Sequence, residues 1–134
     1  MEESRVIIIM NTRSSDAFEC DDVIESIIKT CNEFSNTSLE KGDSYPGWRP
    51  DLDSDLLQVT TESFKEVRGK TPEYLDIHAG LECGILMDKF PEIKEAVSIG
   101  PEIHNAHSIE ERLEISSTIE IFEIILKIID RHCE

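Results

Sequence analysis

The chain has 134 residues, 39% of them hydrophobic, and its 29 acidic residues against 13 basic ones give a formal net charge of −16. This length suits one ordinary domain, and a compact chain of this size buries roughly two-thirds of its unfolded surface. The acidic balance argues against nucleic-acid and anionic membrane partners, and no apolar run reaches the ~20 residues that span a bilayer. Glu2 and Glu3 precede the first apolar run, where a secretory signal carries basic residues, so we expect a cytoplasmic protein.

The first third of the chain predicts a strand, a helix and an edge strand. Residues 5–12 form an apolar, β-branched run that is typical of a buried strand. Apolar residues then recur at three- and four-residue steps as far as Phe34, which predicts one face of a helix. Residues 37–42 suit a short edge strand. Residues 43–53 hold two prolines and one glycine without periodicity, and they mark the clearest boundary in the chain.

The remainder predicts helices alternating with short strands. The expected elements are a helix from Asp53 or Ser54 to Gly69, a strand over 74–78, a helix over 80–90, a strand over 96–100, a loop over 101–113 and a helix from Ser116 or Ser117. The last helix is expected to bury Ile121, Phe122, Ile125, Ile128 and Ile129. Alternation of this kind predicts an α/β protein, in which helices cover a sheet.

Four histidines are the first candidates for chemistry. His104 and His107 form H-x-x-H in a polar loop, a spacing that can bind zinc, and the alternative is two exposed loop histidines. His78 ends a predicted strand just before Gly80, where α/β proteins bind ligands because free backbone N–H groups point there. Tight packing of a helix on a strand explains Gly80 equally well. His132 lies near the terminus, and we expect it to be solvated.

Charged residues and thiols offer weaker signals. Arg13 follows the first apolar run as N-T-R-S, where its guanidinium can hold a carboxylate, and a surface ion pair is the simpler alternative. The acidic pair Glu110 and Glu111 suits a solvated face. The four cysteines include no C-x-x-C pair, and we expect them to be free thiols.

Four segments carry a family resemblance in their order and spacing. They are Y-P-G-W-R-P at 45–50, I-H-A-G-L-E-C-G at 77–84, S-I-G-P at 98–101 and A-H-S at 106–108. Together these segments resemble the aminoacyl-histidine dipeptidases, also called Xaa-His dipeptidases or peptidase D, which are two-zinc peptidases. The H-A-G-L-E-C-G string is highly specific to that group, and the resemblance covers nearly the whole chain.

The resemblance implies a two-domain enzyme several times longer than this chain. In such an enzyme a catalytic α/β domain binds two zinc ions, and a smaller α/β lid domain is inserted into it. This chain would be the C-terminal portion, with residues 1–42 as the end of the lid or dimerisation domain, 43–52 as the crossing between domains and 53–134 as the last α/β piece of the catalytic domain. The resemblance also allows other divalent metals and a homodimer formed through the lid.

The resemblance also implies roles for individual residues. Family metal ligands come from an H-x-D segment, a Glu-Glu pair, two further Asp residues and a late His, of which only the late His maps here, onto His107. His104 matches no ligand position, and no catalytic residue maps onto the chain. Arg13 matches a substrate-binding arginine of the lid, and Gly80 and Glu82 match a loop beside the substrate.

The expected function is therefore that of one portion of a zinc-dependent dipeptidase. Together with the remaining N-terminal portion it would hydrolyse dipeptides that end in histidine, while the lone chain is expected to be inactive. The alternative is a truncated, non-catalytic paralogue that serves as an interaction or folding module. The H-A-G-L-E-C-G string argues against a third interpretation, an acidic regulatory protein unrelated to peptidases.

Overall fold

The computed structural model describes residues 6–14, 17–75 and 82–132, and their regular secondary structure is mainly helical. The helices are α1 (Ala17–Asn32), α2 (Asp55–Arg68), α3 (Glu82–Lys89) and α4 (Ile115–His132). Two short strands, β1 (Ile103–His104) and β2 (Arg112–Leu113), pair antiparallel, with Ile103 opposite Leu113. None of the helices in the described residues is both long and apolar enough to cross a membrane.

Helix α2 begins and ends at residues that cap it. The Ser54 hydroxyl accepts a hydrogen bond from the Leu57 N–H at 3.2 Å, which satisfies a backbone group that the first helical turn leaves free. Gly69 has a φ of 69°, and its N–H donates to the Lys65 carbonyl at 2.9 Å. Glycine suits that left-handed conformation because it has no Cβ. The predicted ends of this helix are confirmed, with Ser54 rather than Asp53 as the N-cap.

The core lies between α2 and α4. Phe64 of α2 packs with Ile121 and Ile124 of α4, and Ile124 is completely buried. Ser117 is also buried, and its hydroxyl accepts from the Glu102 N–H at 2.9 Å while donating to the Glu114 carbonyl at 2.7 Å. Because both hydrogen-bonding roles of this hydroxyl are satisfied, its burial carries little penalty.

Ion pairs run along the α2–α4 contact. Glu66 lies 2.7 Å from the Lys127 ammonium and also contacts Arg131, while Arg68 Nε lies 2.9 Å from Glu120. Most of these side chains are substantially exposed, and exposed ion pairs contribute little because water screens them. The apolar contact therefore contributes most to holding the two helices together.

The expected buried face of α4 is only partly correct. Ile121 and Ile128 do pack in the core, but Phe122, Ile125 and Ile129 are 61%, 40% and 50% exposed. Ile124, which the prediction omitted, is the most deeply buried residue of this helix. The error arises because α4 is apolar on two sides, so the predicted face combined residues from both.

The expected strands are wrong wherever the structure describes them. Residues 6–12, 37–42 and 96–100 are neither helix nor strand, and of the segment 74–78 only Tyr74 and Leu75 are described, also outside any strand. A strand is stable only when neighbouring strands pair with its backbone, and the described residues supply no such neighbours. The α/β prediction thus reduces to a mostly helical chain with one two-stranded sheet, located in the predicted loop 101–113.

The Pro-rich segment packs against α3 at Gly84. A Cβ placed on this buried glycine would lie 2.9 Å from the Pro46 carbonyl oxygen and 3.2 Å from the Trp48 Cβ. Such a close approach of backbone to backbone leaves room only for glycine. The last glycine of the H-A-G-L-E-C-G string therefore has a packing role.

Candidate functional site

The hairpin of β1 and β2 carries His107 in its loop, residues 105–111. Asn105 and His107 have φ values of 53° and 64°, in the left-handed region that few residues other than glycine adopt. Ser108 braces the loop, since its N–H and its hydroxyl both donate to the Asn105 carbonyl, at 3.2 and 2.7 Å. The Glu111 N–H in turn donates to the Ser108 carbonyl at 3.1 Å.

Glu111 holds the backbone at His107 directly. Its Oε2 accepts a hydrogen bond from the His107 N–H at 2.6 Å. Hydrogen bonds to a charged acceptor are short and roughly twice as strong as neutral ones. The imidazole itself is exposed at the surface. The loop therefore presents a histidine ring on a backbone that several hydrogen bonds fix in one conformation.

His104 has a different environment from His107. It lies in β1, and its Nε2 is 3.3 Å from Glu114 Oε2. The pKa of Glu114 is lowered, chiefly by the hydrogen bond from Ser116 and also by His104. His104 is thus tied to the residue that precedes α4. The parts of the chain that the structure describes contain no group of three or more His, Cys, Asp or Glu side chains placed to hold a metal ion.

Of the three predicted substrate-binding residues, the structure describes Arg13 and Glu82. Arg13 is exposed in the non-helical segment 6–14, and Glu82 is exposed in the first turn of α3. Gly80 and His78 lie outside the described residues, as does the first half of the H-A-G-L-E-C-G string. His132, at the end of α4, is exposed as expected.

Sequence reasoning missed Glu111, which it assigned to a solvated face. The carboxylate is exposed, but it accepts the His107 N–H across the loop. A usable signal was present: Asn105 and Ser108 favour turns, and an acid placed four residues after His107 can reach back across such a turn. A local side-chain-to-backbone bond of this kind is common in loops.

The chain is similar in sequence and in fold to known proteins. The chain is 32% identical over 108 residues to the cytosol non-specific dipeptidase of Escherichia coli, covering 81% of this chain and 22% of that protein. Its fold is similar to the crystal structure of the aminoacylhistidine dipeptidase from Vibrio alginolyticus, with a TM-score of 0.65 and 29% identity over 87% of this chain and 23% of that one. No protein-family model matches the chain.

These similarities define the chain as a piece of a peptidase domain. It is related to the aminoacyl-histidine dipeptidases, as the four sequence segments predicted, and it spans less than a quarter of the length of the relatives it matches. Partial coverage of this kind is consistent with a C-terminal portion.

Proposed function

We propose that the chain is the C-terminal portion of a metal-dependent dipeptidase that hydrolyses Xaa-His dipeptides in the cytoplasm, and that the chain alone is inactive. The observation that carries this proposal is the 32% identity over 108 residues to a dipeptidase of which the chain covers 22%. A segment of that size needs the remaining N-terminal portion to form a complete active site. The dipeptide substrate follows from the names of both relatives.

His107 is the metal ligand in this proposal. Its exposed ring is available to a metal, and its left-handed backbone conformation supports a functional role. Such a conformation costs on the order of 1–3 kcal/mol and persists only where the surroundings enforce it. Glu111 enforces it here through the bond to the His107 N–H.

His107 could supply only one of the ligands of a zinc site. Closed zinc sites have four ligands, and catalytic sites usually have three plus water. The remaining ligands, and the group that accepts the proton of the attacking water, would come from the N-terminal portion. Zinc, when bound, would polarise the peptide carbonyl and make the attacking water more acidic.

The substrate-binding roles extend the proposal to three further residues. Arg13 offers an exposed guanidinium, which suits the terminal carboxylate of a dipeptide because the two groups can form a bidentate pair. Gly80 and Glu82 would lie beside the same substrate. Residues 1–42 would form the end of the lid and residues 53–134 the last piece of the catalytic domain. The ion pair of Lys41 with Asp21, at 3.8 Å, lies within the first of these units.

Two measurements test the proposal. Calorimetric titration of the lone chain with zinc should show no tight stoichiometric binding, and the lone chain should not hydrolyse β-alanyl-histidine above background. In the complete enzyme, His107→Ala should abolish hydrolysis because it opens the metal's coordination shell. His104→Ala is the matched control and should remain close to wild type. Tight zinc binding with turnover by the lone chain would show that the ligand set is wrong. Full activity of the His107→Ala enzyme would overturn the role of that residue.

A further inference from the structure

Helix α4 has a second apolar face on its solvent side. Apolar residues recur there at alternating steps of four and three, and each is well exposed: Ile115 at 77%, Ile119 at 58%, Phe122 at 61%, Leu126 at 47% and Ile129 at 50%. We call these five residues the outer stripe. With 3.6 residues per turn, the stripe lies nearly opposite the buried face that contains Ile121 and Ile124. A helix that is apolar on both faces is typical of the interior of a larger structure.

The charged residues of α4 avoid the outer stripe. Lys127 and Arg131 reach toward α2, where both contact Glu66. Glu123 and Asp130 border the stripe along one edge. A face that normally meets water carries charged residues in its middle, so the uncharged stripe with its acidic border has the pattern of an interface.

The chain has a larger accessible surface area than a compact monomer of its mass. The accessible surface is 11458 Å² for a mass of 15.3 kDa, whereas a compact monomer of that mass exposes roughly 7,100 Å². The excess of about 4,000 Å² is several times the ~800 Å² that each partner contributes to an ordinary protein interface. The chain therefore needs an extensive partner surface to reach the burial that is normal for its size.

We propose that the outer stripe docks against the remaining polypeptide of the dipeptidase, on an apolar surface with basic residues facing Glu123 and Asp130. This inference rests on the proposed function, in which the chain is one portion of that enzyme. The relatives have more than three-quarters of their length outside the matched region, which is enough chain to cover the excess surface. A second copy of this chain fits poorly, because each copy carries a net charge of −16 and the two would repel.

The test uses the full 134-residue chain and, as probe, the E. coli cytosol non-specific dipeptidase lacking the segment that this chain matches. Wild-type chain should bind the probe with one-to-one stoichiometry in calorimetry. The Phe122→Asp/Leu126→Asp chain should bind at least tenfold more weakly. Gln58→Asp, which adds a charge on the exposed side of α2, should stay within twofold of wild type. Because Phe122 and Leu126 are exposed, the free double variant should keep the wild-type helical circular dichroism.

A second experiment applies if the truncated E. coli probe does not bind the chain. In a chimera, this chain replaces the matched segment of the E. coli enzyme. The Phe122→Asp/Leu126→Asp substitution should lower the thermal unfolding midpoint of that chimera by several degrees. Equal probe binding by wild type and double variant, or an unchanged midpoint in the chimera, would overturn the proposal. The proposal would also be overturned if the lone wild-type chain forms a dimer in sedimentation and the double variant does not. A complex that forms but does not hydrolyse β-alanyl-histidine would leave the docking surface standing and count against the proposed function.

Discussion

The backbone N–H of His107 donates to Glu111 Oε2 over 2.6 Å, and this bond spans the turn that carries the proposed metal ligand. Glu111 contacts the backbone N–H of His107 and not its imidazole, so it would affect the proposed metal site through the backbone. Removing it would release the left-handed conformation at His107 without changing any ligand atom. Within the proposed metal site, Glu111 would therefore act as a positioning residue.

The variant Glu111→Ala should loosen the His107 loop. A hydrogen bond to a charged group contributes roughly 1.5–3 kcal/mol, so the His107 amide should exchange with solvent at least about tenfold faster than in wild type. Glu110→Ala is the matched control, because the Glu110 contact within the loop is made by its backbone N–H to the Ser108 hydroxyl. Amide hydrogen exchange by NMR measures both. Equal exchange rates in the two variants would show that Glu111 does not hold the loop.

Acid should weaken the α2–α4 contact through Glu66. The pKa of Glu66 is lowered from its ordinary 4.5, first by the hydrogen bond from Lys127 and then by the charge of Arg131. The folded state therefore binds fewer protons than the unfolded state, and stability rises with pH. This contribution is present above 4.5 and is lost as the pH falls through the lowered folded-state value. The Tm difference between wild type and Glu66→Gln should be positive at neutral pH and shrink in acid.

The control for Glu66→Gln is Glu123→Gln, which removes one exposed acid from the outer side of α4. It should not lower the Tm at neutral pH, because the net charge of −16 already disfavours the compact state. Calorimetric Tm values across the acid range distinguish the two variants. A Glu66→Gln effect that stays constant in acid would contradict the ion-pair explanation.

Adding one methyl group at Gly84 should disturb the Pro-rich segment. In Gly84→Ala the new Cβ would lie 2.9 Å from the Pro46 carbonyl oxygen, and overpacking of this kind costs about 1–3 kcal/mol. The better helix propensity of alanine offsets up to ~1 kcal/mol of that cost. Trp48, the only tryptophan in the sequence, lies in the same contact, so its fluorescence emission should shift. Gly100→Ala, with nothing within 4 Å, should change neither emission nor Tm.

Cys83 should react more slowly than the other described thiols. Cys20, Cys31 and Cys83 are free cysteines in the structure, while Cys133 lies outside the described residues. Burial raises the pKa of Cys83 above its ordinary 9.0, so less of the reactive thiolate is present at pH ~8. An Ellman's reagent time course should show a slow phase that disappears in Cys83→Ser. A slow phase that persists in this variant would assign the slow thiol elsewhere.

The helices could be predicted from sequence because their signals are local. Ser54 and Gly69 mark the ends of α2, and a cap depends only on residues within one turn. Helix α1 ends at Asn32 where Phe34 was expected, and α3 ends at Lys89 where residue 90 was expected, while residues 80–81 of that expected helix lie outside the described part of the chain. Boundary differences of this size are normal because helix ends fray.

The strands and the site geometry depend on residues far apart, and the sequence could not settle them. The run Val6–Met10 has the composition of a buried strand, yet all five residues are exposed, and no strand among the residues that the structure describes pairs with them. The β1–β2 pair lies in a segment whose polar composition predicts a loop. His107 was identified only through the family resemblance, since an H-x-x-H spacing does not reveal which histidine has a fixed backbone.

The large accessible surface of the chain has a consequence for its response to urea. The slope of unfolding free energy against denaturant concentration is proportional to the surface that unfolding newly exposes. A chain that already exposes 11458 Å² in its folded form has less surface left to expose. Its urea transition should therefore be broad for 134 residues, and a modest change in solvent should shift the folded fraction gradually rather than abruptly. Steepening of that transition when a partner is present gives a direct measure of how much of the fold the partner completes.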